Sequence, residues 1–187
     1  MLVTLFGVTG VGKSFFKKLI AQELGFKNLP IVTTREKRTG EINGIDKEFV
    51  TQEEFQKMKQ EGIIQVDFEF LGVSYAYRKE YLQSFENRVT EAEYSNIYEL
   101  KKCVKDMFAI YLIPYNLERA KLELQKRNLS EEVYQKRLEE IDEHIKEYSS
   151  NLKLQKQFDC VLINDYTEVS QKKLLEMVKQ KMATNKQ

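Results

Sequence analysis

The chain has 187 residues, a length that suits one domain with a full core, and its 30 Lys+Arg against 29 Asp+Glu leave a formal net charge of +1. That balance supplies no bulk attraction to nucleic acid or to an anionic membrane, so the expected partners are small molecules. Two cysteines, Cys103 and Cys160, and one histidine, His144, show no Cys-x-x-Cys or Cys/His spacing, which excludes a disulfide framework and any zinc motif readable from spacing.

The N-terminus enters an apolar strand at once, with no basic segment ahead of it, and no apolar run reaches the roughly 18 residues of a membrane span. The expectation is a cytoplasmic protein, monomeric or homodimeric. Residues 2–6 are followed by Gly7-Val8-Thr9-Gly10-Val11-Gly12-Lys13-Ser14, a full match to G-x-x-x-x-G-K-[ST], and then by a helical pattern over 13–24 that Gly25 stops. Such glycines let successive backbone N–H groups turn inward at a helix N-terminus and cradle a phosphate. Lys13 then reaches the β- and γ-phosphates, and the Ser14 hydroxyl is placed to ligate magnesium.

Residues 26–30 read as a connection and 31–34 as a short β-branched strand. The loop 35–46 carries Arg35 and Arg38 between polar residues and glycines; arginines there grip a phosphate bidentately, a solvated basic loop being the alternative from these residues alone. Residues 48–50 read as a strand, and Thr51 with Glu54 forms a capping box for a helix to Glu61. After Gly62, strands at 63–69 and 73–77 joined through Leu71-Gly72 predict a hairpin on a small accessory sheet. The block 31–85 has no parallel-sheet signature and reads as an insertion.

The strand 88–93 resumes the main pattern and sets Glu91 and Glu93 on one face at its C-terminal end, where open α/β sheets collect ligands; solvated carboxylates on an edge strand are the alternative. A helix over 94–105 precedes the apolar run 107–113, the mark of a strand covered on both faces and ended by Pro114. Helices follow over 116–127 and, capped by Ser130, toward Tyr148; a last buried strand over 159–163 leads to a terminal helix from about 167 and a frayed tail over 183–187. The alternation predicts an α/β, P-loop three-layer fold with a parallel core sheet and helices on both faces.

From residue 2 to about 179 the chain resembles the guanylate kinase family of nucleoside monophosphate kinases. The carriers are the phosphate loop and the stretch 33–50, which is similar to the family's T-T-R-x-x-R-x-G-E-x-[ND]-G-x-D-Y-x-F-V except at the tyrosine. The resemblance implies a core of 1–30 and 86–183, an acceptor-binding insertion of about 31–85, and a lid of about 126–137. It implies ATP and Mg2+, with Gly7 to Ser14 and Asn164 holding the donor and with Ser14 and Glu91 at the metal. Thr34, Arg35, Arg38, Tyr75, Glu91 and Glu93 would bind the acceptor. Lys13, Arg35, Arg38, Arg127 and Arg137 would stabilise the migrating phosphoryl group.

The chain departs from the family where guanine is read. Tyr77 stands for a serine or threonine, Val66 for a glutamate, Ile31 for a serine, Ala76 for a glycine and Lys47 for a phosphate-binding tyrosine, while Asp67 and Glu69 would supply a carboxylate if the strand register shifts. The implied reaction is phosphorylation of GMP or dGMP. A kinase for another phosphorylated acceptor and a non-catalytic binding module are the alternatives.

Overall fold

In the computed structural model, which describes residues 1–127 and 129–185, two sheets share the chain. The first is parallel and five-stranded. Its strands are β1 (Leu2–Gly7), β2 (Lys27–Asn28), β7 (Arg88–Glu91), β8 (Met107–Pro114) and β9 (Cys160–Asn164), in the order β2-β7-β1-β8-β9. The chain leaves β1 for one side of the sheet and later returns to the other, so the switch point where ligands collect in such sheets falls at the C-terminal end of β1.

The apolar runs of β1 and β8 divide by alternation. Val3, Leu5, Phe108, Ile110 and Leu112 face one way, against Phe16 and Ile20 of α1 (Lys13–Leu24) and Leu174 and Val178 of the final helix α8 (Glu168–Thr184). Leu2, Phe6, Met107, Ala109 and Tyr111 face the other way, against Ile97 and Leu100 of α4 (Ile97–Cys103). Truncating a fully buried residue such as Leu5 to alanine removes about 2–5 kcal/mol.

The second sheet has the order β4-β3-β6-β5, from β3 (Ile31–Thr33), β4 (Lys47–Phe49), β5 (Ile64–Phe70) and β6 (Val73–Arg78), and is closed beneath by Phe55 and Met58 of α2 (Gln52–Gln60). The capping box is present, with Glu54 N–H donating to Thr51 Oγ1 (3.1 Å) and Thr51 N–H to Glu54 Oε2 (2.7 Å). Leu71 and Gly72 both take positive φ (50° and 72°), as the two-residue turn of a hairpin requires. Against expectation, β3 pairs parallel with β4, and residues 34–46 are the crossover that such pairing needs. The remaining connections are α3 (Lys79–Leu82), α5 (Leu117–Gln125), the long α6 (Glu131–Ser150) and α7 (Leu152–Gln155).

Several boundaries differ from the sequence reading. Lys27–Asn28 is an edge strand rather than a connection, and the helix expected from Tyr94 begins as a 3-10 turn, Tyr94–Asn96. The strand expected to reach Glu93 stops at Glu91, Pro114 closes its strand from inside, and α8 continues through Ala183 and Thr184 of the expected tail. Asn128 of the expected lid and Lys186 and Gln187 of that tail lie outside the described residues. Among the described residues no helix is long and apolar enough to cross a membrane.

Candidate active site

Between the phosphate loop and the second sheet lies a cleft of about 610 Å³. Its floor is the turn from β1 into α1. Glycine is enforced at two of its positions by the protein's own backbone: a Cβ on Gly7 would come within 2.4 Å of Leu112 O, and one on Gly10 within 2.2 Å of Ala120 O, both at positive φ. Asn164 fastens the loop from below, its Nδ2 donating to Val11 O (2.9 Å) while its Oδ1 accepts from Tyr166 N–H and Ser170 Oγ (2.8 and 2.9 Å). Tyr166 O–H donates to Gly10 O (3.3 Å), and Arg119 lies over its ring at 5.6 Å. Lys13 Nζ donates to Gly7 O and Val8 O (2.5 and 3.1 Å).

At the end of β7, Glu91 collects the charges of that floor. Ser14 Oγ donates to its Oε2 (2.8 Å), Lys47 Nζ to its Oε1 (3.2 Å), and Lys17 Nζ lies 3.9 Å from Oε1. Burial would raise the Glu91 carboxyl, but Lys47, Lys17, Lys13 and the Ser14 hydrogen bond outweigh it and hold the group well below the ordinary carboxylate range. Burial in turn lowers the Lys17 ammonium, opposed first by Glu91. Sequence reading missed Lys17; the signal was its place one turn after Lys13 on the same helix face.

The crossover loop supplies the opposite wall. Arg35 is forked onto Glu41 (2.8 and 3.0 Å), whose carboxyl is held low by that hydrogen bond and by Arg38 N–H (2.8 Å) despite its burial. Among the described residues no carboxylate lies within ion-pair distance of the Arg38 guanidinium, which lines the cleft. Burial, then Arg35, Arg127 and Arg137, lower its pKa from the usual arginine value, as expected where four guanidinium groups converge. Arg127, lowered chiefly by burial and then by Arg137, donates to Thr9 Oγ1 (3.4 Å). Arg137 pairs with Glu140 (3.1 Å) and lies over the Phe70 ring at 4.2 Å.

Tyr75, Glu91 and Glu93 also line the cleft, although Glu93 sits beyond the strand, at the start of the 3-10 turn, rather than on a face shared with Glu91. Thr34 is the expected acceptor residue that does not reach it; its Oγ1 accepts from Ser74 N–H (3.0 Å) and its backbone ties β3 to β6. The residues at the family's guanine-reading positions, Tyr77 and Val66, do not line the cleft either. Tyr77 is fully buried, with its O–H donating to Glu91 O (3.1 Å), and burial raises its pKa well above the usual value.

Strand β5 does shift register, through a bulge in which Val66 takes φ 56°. The shift brings no carboxylate into the cleft. Asp67 is exposed and pairs with Lys59, Glu69 is exposed, and Phe68 and Phe70 face the cavity, Phe68 stacked on Tyr75 at 5.2 Å.

A phosphate-binding loop at the switch point, faced across one cavity by a second set of cations on the crossover loop of a second sheet, is the architecture of a P-loop nucleoside monophosphate kinase. Comparison with known proteins agrees: the guanylate kinase family model matches residues 1–181. The chain belongs to the guanylate kinase family. Similar proteins include a guanylate kinase of Lactococcus lactis subsp. lactis, 28% identical over 184 residues, with 95% of this chain and 86% of that protein covered. Another, from Streptococcus pneumoniae serotype 4, is 30% identical over 172 residues, covering 88% and 79%. The crystal structure of guanylate kinase from Anaplasma phagocytophilum shares the fold with a TM-score of 0.71 at 19% identity, covering 96% of this chain and 85% of that one.

Proposed function

We propose that the chain transfers the γ-phosphoryl group of ATP to a nucleoside monophosphate, with GMP or dGMP as the acceptor. The observation that carries this reading is that Lys13 and Ser14 at the start of α1 and Arg35 and Arg38 on the crossover between β3 and β4 open onto the same cleft. Two anion-binding centres in one cavity suit two phosphorylated substrates held in line.

The loop 7–14 would hold the donor's phosphates, with Asn164 and Tyr166 shaping the end of the cleft beyond them. Arg38 and Tyr75 would take the acceptor phosphate, with Arg35 released from Glu41 to join them. Phosphoryl transfer needs little covalent help; it needs in-line positioning and neutralisation of charge on the migrating group, which Lys13, Arg127 and Arg137 would provide. The donor set at the loop mouth fits Mg2+, since the Ser14 hydroxyl and the anionic Glu91 carboxylate are hard oxygens 2.8 Å apart. Ser14 and Glu91 would hold the ion, which when bound would supply positive charge to offset that of the phosphates. Movement of the inserted sheet and of the segment about 126–137 toward each other would exclude water, which otherwise accepts the phosphoryl group. Such a protein works on dissolved nucleotides, in keeping with a cytoplasmic setting.

A second reading, a different phosphorylated acceptor, rests on the apolar wall of Phe68 and Phe70 and on the burial of Tyr77. Unpaired or missing polar contacts to a base change discrimination strongly. Release of ADP from Mg-ATP with a panel of ribo- and deoxyribonucleoside monophosphates, beside a Lys13→Ala control, separates the two. Turnover led by GMP and dGMP and lost in the control supports the first; turnover led by another monophosphate, or none with any of them, refutes it.

A further inference from the structure

Behind Glu93 a smaller cavity of about 180 Å³ opens between Phe68 and Phe70 of β5, Tyr94, and the face of α6 that carries Glu140. Next to it lies a side chain that phosphoryl transfer does not use. His144 is 1% exposed, and neither of its ring nitrogens has a hydrogen-bond partner among the described residues. A buried imidazole must donate from one nitrogen and accept at the other, and leaving both unmet forfeits the water each would bind if exposed. The ring is held in place nonetheless, 4.0 Å from the Tyr94 ring and 5.8 Å from that of Tyr111 by centroid. Those contacts fix its plane and satisfy neither nitrogen.

Two carboxylates face it. Glu140 lies one turn earlier on α6, on the same face as His144, and Glu93 arrives from the end of β7. One ligand atom from each of Glu93, Glu140 and His144 lies within 4.8 Å of the others. Among the described residues Glu140 has one cationic partner, Arg137, and burial and Glu93 together still raise its carboxyl above the ordinary range. The cluster thus holds more acceptor capacity than the protein's own donors fill.

We propose that Glu93, Glu140 and His144 form a binding site for a divalent transition-metal ion of the zinc type, separate from the magnesium position at Ser14 and Glu91. The donor set selects the metal: Mg2+ takes oxygens and avoids imidazole, whereas two carboxylates with one neutral imidazole are a Zn2+ set that leaves a fourth position for water. Tetrahedral ligands at about 2.0–2.2 Å stand about 3.4 Å apart, so the three side chains need draw together by little more than an ångström. Binding takes Glu140 away from Arg137, which frees the guanidinium that lies over Phe70. The reason for the site's absence from the sequence reading is plain: Glu93 and His144 come from different elements, and only the pair 140 and 144 shares a local spacing.

The test uses the metal-stripped full chain without nucleotide, titrated with Zn2+ by calorimetry and with Co2+ by visible absorption. The expected result is one ion per chain, a Co2+ ligand-field band that Zn2+ abolishes, and binding at least tenfold weaker in both Glu140→Gln and His144→Phe, the latter keeping a ring between Tyr94 and Tyr111. Ser14→Ala is expected to bind Zn2+ as the unaltered chain does. No stoichiometric binding, binding untouched by both substitutions, or binding lost in Ser14→Ala instead overturns the site. If His144→Phe does not melt cooperatively, Glu140→Gln decides alone by the same tenfold criterion.

Discussion

Replacing Glu91 by glutamine keeps the shape of the side chain and removes its charge from the centre of a lysine cluster. Lys17, only 3% exposed, then loses the carboxylate 3.9 Å away, and Lys47, 16% exposed, loses the same oxygen at 3.2 Å. At an effective dielectric of about 20 the longer pair alone amounts to about 4 kcal/mol of Coulomb energy, and measured losses on breaking one side of a buried pair run about 3–5 kcal/mol. We expect Glu91→Gln to destabilise the fold by about 3 kcal/mol, which for a chain of this length lowers the melting temperature by about 6–12 °C. Lys17→Met in the same background should restore part of that loss, because it removes the charge left unpaired. The pH dependence carries a separate signature. The Glu91 pKa is depressed in the folded state and near about 4.3 in the unfolded chain, so its stabilisation is complete above that value and fades as pH falls below it; glutamine abolishes that part of the acid-side slope. Thermal and urea melts between pH 3 and pH 8 read both effects. A melting temperature within about 2 °C of the unaltered chain, or an unchanged acid slope, refutes the reasoning.

Arg38→Ala should raise the acceptor's KM by about 10- to 100-fold while moving that of ATP little, because a charge-assisted contact is worth about 1.5–3 kcal/mol and Arg38 stands on the inserted sheet's side of the cleft; steady-state kinetics with each substrate varied in turn checks it. Tyr77→Phe should cost about 1 kcal/mol in a urea melt through the lost bond to Glu91 O and leave the ranking of acceptors unchanged, since the hydroxyl does not line the cleft. Gly10→Ala combines a φ of 79° with a Cβ 2.2 Å from Ala120 O, so α5 must move; the expected outcome is a loss of more than about 2 kcal/mol, read by thermal melting.

The parts of the molecule legible in the sequence are those whose physics is local or periodic. The phosphate loop, the capping box at Thr51 and Glu54, the Leu71-Gly72 turn and the doubly covered strand β8 each depend on residues close in the chain. What escaped depends on partners far away. Lys27–Asn28 is too short to show a period and is a strand only because β7 lies beside it. Lys17 reads as an ordinary helix lysine until Glu91 arrives 3.9 Å away, and Thr34 reads as a substrate contact until Ser74 claims its hydroxyl. The resemblance pointed to residues around one cleft, but it did not show that Asn164 spends both ends of its amide on Val11, Tyr166 and Ser170.

The extra residue in β5 changes what counting along this chain can mean. On the turn side of the bulge Phe68 pairs with Tyr75, while on the far side Gln65 rather than Val66 pairs with Tyr77. Paired residues share a face, so the side chain that continues the row of Phe68 is Gln65, an amide whose buried Oε1 has no hydrogen-bond partner among the described residues. In an unbulged strand Val66, two residues from Phe68, would take that place instead. One extra residue thus sets which faces Ile64 and Gln65 present without touching the hairpin turn, and recognition in this fold can drift through backbone spacing as readily as through substitution.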